Sequence, residues 1–303
     1  MARDIRNISA SVHRRLLDKA KETRRPFNEL LQHFAIERFI YRISRSRHAE
    51  CFILKGALMF FVWGGASARP TMDIDFMGRM DNSLAAVGNA VKDACRTEVE
   101  PDGVVFDADS VSSVRITESA EYEGVRVRLK GRLGSARLSL QIDIGFGDAL
   151  VPCPSRSAYP ALLDFPAPVV NGYSMESTIA EKFHAMVKLG ILNSRMKDFY
   201  DIWMLARTFN FEGARLSESI KQTFECRKTP FVARPAVFAP SFAQEKTKCI
   251  QWRAFTKKLG LHDAPQDFET ALALIGTFLE PLNTALAEQQ NFRGVWSAPG
   301  PWC

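Results

Sequence analysis

Apolar and polar positions divide the chain into a helical start, a strand-rich middle and a helical end. In residues 27–44, after Pro26, apolar side chains recur at the three- and four-residue spacing of one helix face. A helix is also predicted upstream, with Ser9 or Ser11 at its N-terminal cap. Residues 1–48 are therefore predicted to be mainly helical.

The middle of the chain carries short apolar runs that glycine and polar residues separate. One strand is predicted over residues 51–54 and a second over residues 71–77. The apolar segment between them is predicted to be a helix that begins at Gly56 and ends at Gly64 and Gly65. Farther along, apolar and polar residues alternate in three segments, as in an antiparallel meander. These segments are residues 104–117, 124–134 and 136–147.

The pattern predicts an α+β fold class with two lobes. A helix capped by Asp81 or Asn82 precedes the meander, which completes a small mixed-sheet lobe in residues 1–150. The five prolines of residues 151–173 predict a crossing to a helical C-terminal lobe, residues 174–303. Its helices are predicted over residues 174–190, 193–209, 213–226, 244–259 and 266–290.

Composition narrows the class of protein. Among 303 residues, 46% are hydrophobic and 24% charged, which is typical of a soluble globular protein. The net charge of +6 permits a polyanionic partner without requiring one. The six cysteines are scattered without a C-x-x-C motif, which disfavours a zinc site and favours reduced thiols in a cytoplasmic protein. We recognise no signal peptide and no run of the roughly 18 apolar residues that a membrane span needs, so no membrane partner is expected.

Basic residues are dense in the predicted N-terminal helices. Two interpretations stay open: a solvated helix face, or a track for the phosphate backbone of RNA or another anion. The basic residues are Arg14, Arg15, Lys19, Lys21, Arg24, Arg25, Arg38, Arg42, Arg45 and Arg47.

Three aspartates on predicted strands are the main candidates for chemistry. Asp73 and Asp75 are two residues apart, so their side chains leave a strand on the same side. Such a pair on an apolar strand is costly unless a positive charge lies against it. Mg²⁺ would supply that charge, because proteins often hold it through one or two carboxylates and substrate phosphates. Asp143 adds a carboxylate on another strand, and three carboxylates on neighbouring strands can hold two divalent ions.

These residues and two later runs resemble a known family. The run from Lys55-Gly56 to Arg69-Pro70-Thr71-x-Asp73-Ile74-Asp75-Phe76 is similar to the first motif of the AbiEii/AbiGii-type nucleotidyltransferase toxins. Residues 180–183 and 193–201 are similar to the downstream motifs of that family, and the resemblance covers roughly residues 25–210. The family is related to polymerase-β-like nucleotidyltransferases and to the mycobacterial MenT toxins. The resemblance implies a polymerase-β-like nucleotidyltransferase lobe, although Gly56-Ala57 stands where the family often has two glycines.

The resemblance also implies roles for individual residues. Asp73 and Asp75 would be catalytic metal ligands, and Asp143 matches a third ligand of the wider superfamily. Lys182 would contact the triphosphate, and Asp198 would be the acidic residue of the second lobe at the active centre. The remaining nucleotide-binding residues would flank the phosphates, and these are Lys55, Gly56, Arg69 and Thr71.

Structural roles stay open for the two residues of the helical lobe. Lys182 has Glu181 and Glu176 as neighbours with which it could pair, and Asp198 could instead favour the dipole of its own helix. The other polar residues nearby are expected to be structural, namely Asp201 (with Arg195 or Lys197), Asp148 and His184.

The function that the resemblance implies is nucleotidyl transfer. The protein would use an NTP, with Mg²⁺ or alternatively Mn²⁺, and an acceptor hydroxyl on tRNA, another RNA or a protein. It would be the toxin of a bacterial toxin–antitoxin or phage-defence system, with a cognate antitoxin encoded nearby. One alternative is a catalytically silent module of the same fold that binds nucleotide or RNA. A metal-dependent phosphohydrolase is disfavoured, because no histidine pairs with the carboxylates at ligand spacing.

Overall fold

A computed structural model of the protein describes residues 7–64, 69–117 and 123–303. It divides into two compact units. The first comprises Met1–Gly64, Pro70–Gly147 and Ser155–Gly172, and the second comprises Gly65–Arg69, Asp148–Pro154 and Tyr173–Cys303. The first unit holds the sheet and the second is mainly helical, so the α+β fold class is confirmed.

The first unit consists of helices around one mixed sheet. Its described helices are α1 (Ile8–Thr23), α2 (Phe27–Arg45), α3 (Met59–Val62) and α4 (Leu84–Arg96). Its described strands are β1 (Phe52–Lys55), β2 (Asp73–Gly78), β3 (Val104–Thr117), β4 (Glu123–Leu133), β5 (Ala136–Phe146), β6 (Ser155–Ala158) and β7 (Val169–Gly172). The strands form a sheet in the order β3-β4-β5-β2-β1-β7-β6.

Strand pairing in this sheet follows the alternation of the sequence. Strands β3, β4 and β5 pair antiparallel, which confirms the predicted meander. β5 then pairs parallel with β2, and β2 pairs antiparallel with β1. The apolar members of the alternation, such as Val127 and Ile142, are fully buried, so burial of one face fixes the register. Edge-to-face contacts join Phe39 to Phe106 and Phe52 to Phe76 in the core.

The proline-rich segment contains two strands that the sequence did not predict. β6 and β7 pair antiparallel, and β7 adds to β1 in parallel. Three of the five prolines that were expected to break structure lie in the connection between these strands, where the carbonyl of Pro168 accepts a hydrogen bond from the amide of Tyr159. The segment that was predicted to be a crossing therefore supplies the last two strands at one edge of the sheet. Short strands with prolines beside them are common at sheet edges.

Two local predictions differ from the structure in detail. The cap of α4 is Ser83, whose hydroxyl accepts from the amide of Ala86 at 3.2 Å, while Asp81 accepts from the amide of Ser83 at 2.6 Å. The helix predicted to start at Gly56 is a 3₁₀ turn that passes into the four-residue α3. Gly65, predicted to help end that helix, lies outside the described residues.

The second unit confirms the predicted helical pattern. Its described elements are α5 (Met175–Leu189), α6 (Met196–Thr208), β8 (Phe211–Glu212), α7 (Gly213–Cys226), α8 (Pro240–Ala243), α9 (Lys246–Leu259), α10 (Phe268–Ala287) and β9 (Val295–Trp296). Ser174 caps α5 by accepting from the amide of Ser177 at 3.0 Å.

Helix α10 is the one described helix that is long and apolar enough to cross a membrane by length and composition. It is not an uninterrupted apolar run, because it contains Glu269, Glu280 and Pro281. Its apolar side chains, among them Ile275 and Phe278, are buried against other helices of the second unit. A buried core helix passes the same test, so α10 is weak evidence for a membrane span.

Candidate functional site

The predicted site residues fall into two groups, one in each unit. Asp73, Asp75 and Asp143 belong to the first unit together with Lys55, Gly56 and Thr71. Lys182, Asp198 and Arg69 belong to the second unit.

A row of charged residues crosses four neighbouring strands of the sheet. Asp75 on β2 lies opposite Asp143 on β5 in the strand register. Lys55 on β1 lies opposite Asp75, and Arg126 on β4 lies opposite Asp143. Side chains at directly opposite positions leave the sheet on the same face. The row therefore places two carboxylates between two cations, which offsets the cost of burying Asp143.

Arg126 holds Asp143 through both carboxylate oxygens. Its Nε donates to Oδ1 at 2.8 Å and its Nη2 donates to Oδ2 at 2.7 Å. This bidentate geometry is the strong form of an arginine–carboxylate pair. Sequence reasoning missed Arg126, although the basic residues that alternate with Val125 and Val127 on β4 were the available signal.

Gly56 lies against the side chain of Asp75. The backbone of Gly56 has φ +72°, which is in the left-handed region, and a Cβ at this position would overlap the Asp75 carboxylate. Glycine is therefore required here for close approach to a carboxylate as well as for backbone conformation. This is a different physical reason from the helix-start role that the sequence suggested.

Asp73 is the exposed member of the acidic group. Gln141, its register partner on β5, donates from Nε2 to Asp73 Oδ1 at 3.1 Å. The hydroxyl of Thr71 donates a hydrogen bond to the backbone carbonyl of Asp73 at 3.3 Å. This bond stabilises the backbone at the start of β2. Sequence reasoning did not anticipate Gln141, because the pairing of β2 with β5 has to be known first.

The donor set suits an ion that two carboxylates hold. Asp73 and Asp75 leave β2 on the same side, and Mg²⁺ is commonly held by one or two carboxylates with substrate phosphates. Among the described residues, no group of three His, Cys, Asp or Glu side chains is placed to hold a metal. Asp143 fits as a ligand less well than the other two, since Arg126 binds both of its oxygens.

The second group is a buried network of charges around Lys182. Its Nζ lies 2.8 Å from Asp198 Oδ1 and 2.8 Å from Asp201 Oδ2. Arg195 donates to the other oxygen of Asp198 at 2.6 Å. Arg69 binds both oxygens of Asp201, at 2.9 and 3.2 Å. Three cations therefore surround two carboxylates.

Burial and charge oppose each other in setting the pKa values of this network. Burial alone would lower the pKa of Lys182, but Asp198 and Asp201 outweigh it and raise that pKa above its ordinary value. Burial would raise the pKa values of both aspartates, but Lys182 with Arg195 or Arg69 lowers them. All three groups are therefore charged at neutral pH.

Asp198 and Asp201 both lie beside Lys182 in this network. The side chain of Asp198 has 0% exposure and is turned toward Lys182, whose side chain keeps 11% exposure. Asp201 does have a structural environment, but its partners are Arg69 and Lys182 instead of the expected Arg195 or Lys197. The spacing of Asp198 and Asp201, three residues apart on one helix, was the sequence signal for this pair.

The other polar residues with expected structural roles lie nearby in the second unit. His184 is buried, and its Nε2 lies 2.8 Å from the hydroxyl of Thr229. Asp148 accepts a hydrogen bond from Arg227 at 2.7 Å, and the two side chains form an ion pair.

Replacing Asp201 should destabilise the protein. Asp201→Asn leaves Lys182 and Arg69 with less negative charge in a buried site, which should lower the free energy of unfolding by about 3 kcal/mol. Urea denaturation at neutral pH measures this loss. Because the pKa of Asp201 is lowered in the folded state, its contribution exists above the unfolded pKa of about 4 and is lost as pH falls through the folded value. The difference from wild type should therefore shrink in acid.

Asp18→Asn is the matched control for this prediction. Asp18 forms an exposed pair with Arg14, and removing such a pair costs about 0.5 kcal/mol or less. Equal losses in the two variants would contradict a special role for the buried network.

Replacing Gly56 should cost more than its backbone conformation alone explains. Gly56→Ala forces an L-residue into the left-handed region, at about 1–2 kcal/mol, and also displaces Asp75. Gly260→Ala is the control, because Gly260 has φ +62° and the nearest atom to its Cβ would be 4.0 Å away. Thermal and urea unfolding should show the larger loss for Gly56→Ala, and equal losses would refute the contact with Asp75.

Comparisons with known proteins found one family model and two solved structures that are similar to this chain. A family model described as the nucleotidyl transferase AbiEii toxin of a type IV toxin–antitoxin system matches residues 38–274. A crystal structure of a candidate nucleotidyltransferase from H. pylori is 16% identical, with a TM-score of 0.45 over 86% of this chain and 97% of that chain. The crystal structure of JHP933 from Helicobacter pylori is 15% identical, with a TM-score of 0.47 over 86% and 94%. No curated protein matches this chain in sequence.

The family match spans both groups of site residues, from the charged row of the sheet to the network around Lys182. It covers most of the chain, including five of the six described helices of the second unit and the start of the sixth. The protein therefore belongs to the AbiEii family of nucleotidyltransferase toxins.

Proposed function

We propose that this protein transfers a nucleotidyl group from an NTP to a hydroxyl of an RNA acceptor such as tRNA, in a reaction that depends on Mg²⁺ or Mn²⁺. The observation that carries this proposal is the acidic group of the sheet, in which Asp73 and Asp75 share one side of β2 and Asp143 lies opposite Asp75. Family membership supports the same reaction class.

Asp73 and Asp75 are the proposed metal ligands. Such an ion, when bound, supplies Lewis-acid stabilisation of the attacking and leaving oxygens. The protein's own part is to hold the two carboxylates ready. Gln141 orients Asp73, and the close approach of Gly56 fixes the position of Asp75. Asp143 is proposed as a third acidic residue whose charge Arg126 balances.

Lys182 is the proposed contact for the triphosphate. A lysine ammonium is a compact point charge that suits a phosphate oxygen. Asp198 and Asp201 hold the ammonium in one place and keep it protonated. We therefore assign Asp198 to positioning Lys182, and Arg69 to holding Asp201 in addition to any contact with phosphate. Lys55 and Thr71 are proposed to contact phosphates beside the carboxylates.

The biological role that fits the family is that of a toxin with a cognate antitoxin partner. We extend this to a cytoplasmic toxin–antitoxin or phage-defence system in which nucleotidyl transfer to the acceptor stops growth. The growth arrest is a separate claim from the chemistry, since an active enzyme with a harmless acceptor would not be toxic.

One observation favours the alternative of a catalytically silent binding module. Both oxygens of Asp143 are held by Arg126, as expected for a carboxylate with a structural role. This module would bind an NTP and release no pyrophosphate.

Transfer of label tests the enzyme proposal. Wild-type protein with Mg²⁺, total RNA and each α-labelled NTP in turn should place label on RNA and release pyrophosphate, and EDTA should stop both. Asp73→Asn and Lys182→Ala should each lower the rate at least about 100-fold, because they remove a metal ligand or a phosphate contact. Asp18→Asn, an exposed aspartate elsewhere, should keep the wild-type rate. Binding of NTP by wild type without any pyrophosphate release would favour the silent module.

Growth after induced expression in a bacterial host tests the toxin proposal. Wild type should arrest growth, while Asp73→Asn at the same expression level should not, because arrest requires transfer. Co-expression of the antitoxin should restore growth. Equal arrest by both variants would contradict toxicity through catalysis and leave the labelling result unaffected.

A further inference from the structure

One face of the meander carries a ladder of basic side chains. Along β4, buried Val125, Val127 and Leu129 alternate with basic residues. The basic residues leave the opposite face, and we call Arg126, Arg128, Lys130 and Arg132 the β4 ladder. Apart from half-buried Arg126, its members are exposed.

The strands on either side continue this face as a polar surface. On β5, Gln141 lies opposite Arg128, Ser139 opposite Lys130 and Arg137 opposite Arg132. On β3, Ser112 lies opposite Arg128 and Asp107 lies opposite Lys130. The exposed Val114 and Val105 lie opposite Arg126 and Arg132, the two ends of the β4 ladder. Arg137, Ser139 and Ser112 are exposed, so this face of the meander is open.

The outer cations of the β4 ladder are available for a ligand. Arg126 is taken by Asp143, but within the described part of the chain Arg128, Lys130 and Arg132 form no ion pair. Among the described residues directly opposite these three cations, Asp107 is the one acidic residue. The surface therefore has more positive than negative charge. Like charges in a row repel one another and destabilise the folded state, and a basic stripe of this kind is the electrostatic footprint of a nucleic-acid partner.

The N-terminal helices offer less positive charge than their sequence suggested. Carboxylates bind five of their basic residues: Arg14 pairs with Asp18, Arg25 with Glu29, Arg38 with Glu37, Arg42 with Asp102, and Arg47 with Asp93. Half of the ten cations that were candidates for a phosphate track therefore have carboxylate partners within the chain. The β4 ladder is the better candidate.

The spacing of the ladder suits a nucleic-acid strand. Side chains two residues apart on a strand are about 7 Å apart, and the ladder from Arg126 to Arg132 is about 20 Å long. This repeat is comparable with the distance between successive phosphates in an extended single strand. Among the described residues of this face, the paired positions include no aromatic side chain. The protein would therefore contact the phosphate backbone of the nucleic acid, without stacking against its bases.

We propose that the β4 ladder is the docking surface for a single-stranded segment of the RNA acceptor. Ser112, Ser139 and Gln141 flank the cations with groups that both donate and accept hydrogen bonds, which suits the ribose 2′-hydroxyl. At its inner end the ladder meets Asp143, which lies opposite Asp75, so a bound strand leads toward the acidic group. The identity of the ligand as the acceptor rests on the proposed function, whereas the binding surface does not.

RNA binding by three full-length variants tests this surface. The probe is a fluorescein-labelled single-stranded oligouridylate, and its affinity is measured by anisotropy over a range of salt concentrations. The triple variant Arg128→Gln, Lys130→Gln, Arg132→Gln should bind at least about tenfold more weakly, and its salt slope should be shallower by about 2, since each phosphate contact contributes about 0.7. The charge-preserving Arg128→Lys, Arg132→Lys should keep the wild-type slope.

The matched control removes three cations from the end of α1 and its C-terminal cap, by Lys19→Gln, Lys21→Gln and Arg24→Gln. Its affinity and slope should be those of wild type, and circular dichroism should show both triple variants folded. Equal weakening by the two triple variants would overturn the proposal, because net charge alone would then explain binding. Equal affinity of wild type for the DNA strand of the same length would overturn the assignment to RNA.

Failure of this inference and failure of the proposed function are distinguishable. Ladder-dependent RNA binding without label transfer would support the surface and reject the enzyme. Label transfer to RNA at the wild-type rate by the ladder triple variant, with unchanged RNA affinity, would support the enzyme and reject the surface.

Discussion

Charged groups in a folded chain must be compensated where water is excluded, and this constraint shapes both groups of candidate site residues. In the sheet, Asp75 and Asp143 lie side by side between Lys55 and Arg126. The two carboxylates would repel each other in an apolar environment. The cations on the two flanking strands offset this repulsion. The same arrangement leaves exposed Asp73 and half-buried Asp75 on one side of β2, which is compatible with two carboxylates that hold one divalent ion.

In the helical unit, buried charges are also compensated, but there the cations outnumber the carboxylates. Around Lys182, two buried aspartates are matched by three cations, so the network carries one excess positive charge. The lysine keeps its charge because Asp198 and Asp201 outweigh burial, which connects the stability of α6 with the proposed chemistry.

Sequence patterns predicted those parts of the fold whose signal is local. Alternation predicted β4 and β5, and helical periodicity predicted α5, but the prolines beside β6 and β7 hid those two strands. The strand pattern indicated Asp73 and Asp75 as candidates, and the resemblance added Lys182 and Asp198. It could not give Arg126 for Asp143 or Arg69 for Asp201, because these pairs depend on strand register and tertiary packing over 17 and 132 residues of chain. The basic ladder was missed for the same reason, since its exposure depends on which face of the meander is covered.

The central claim is that the carboxylates of Asp73 and Asp75 hold the ion on which nucleotidyl transfer depends. Crystals of the protein grown with Mn²⁺ and a non-hydrolysable NTP analogue would test it most directly, through the anomalous signal of manganese. We predict an anomalous peak within coordination distance of both carboxylates and of the nucleotide phosphates, and loss of that peak in Asp73→Asn. An ordered nucleotide with its manganese bound away from Asp73 and Asp75 would contradict the claim.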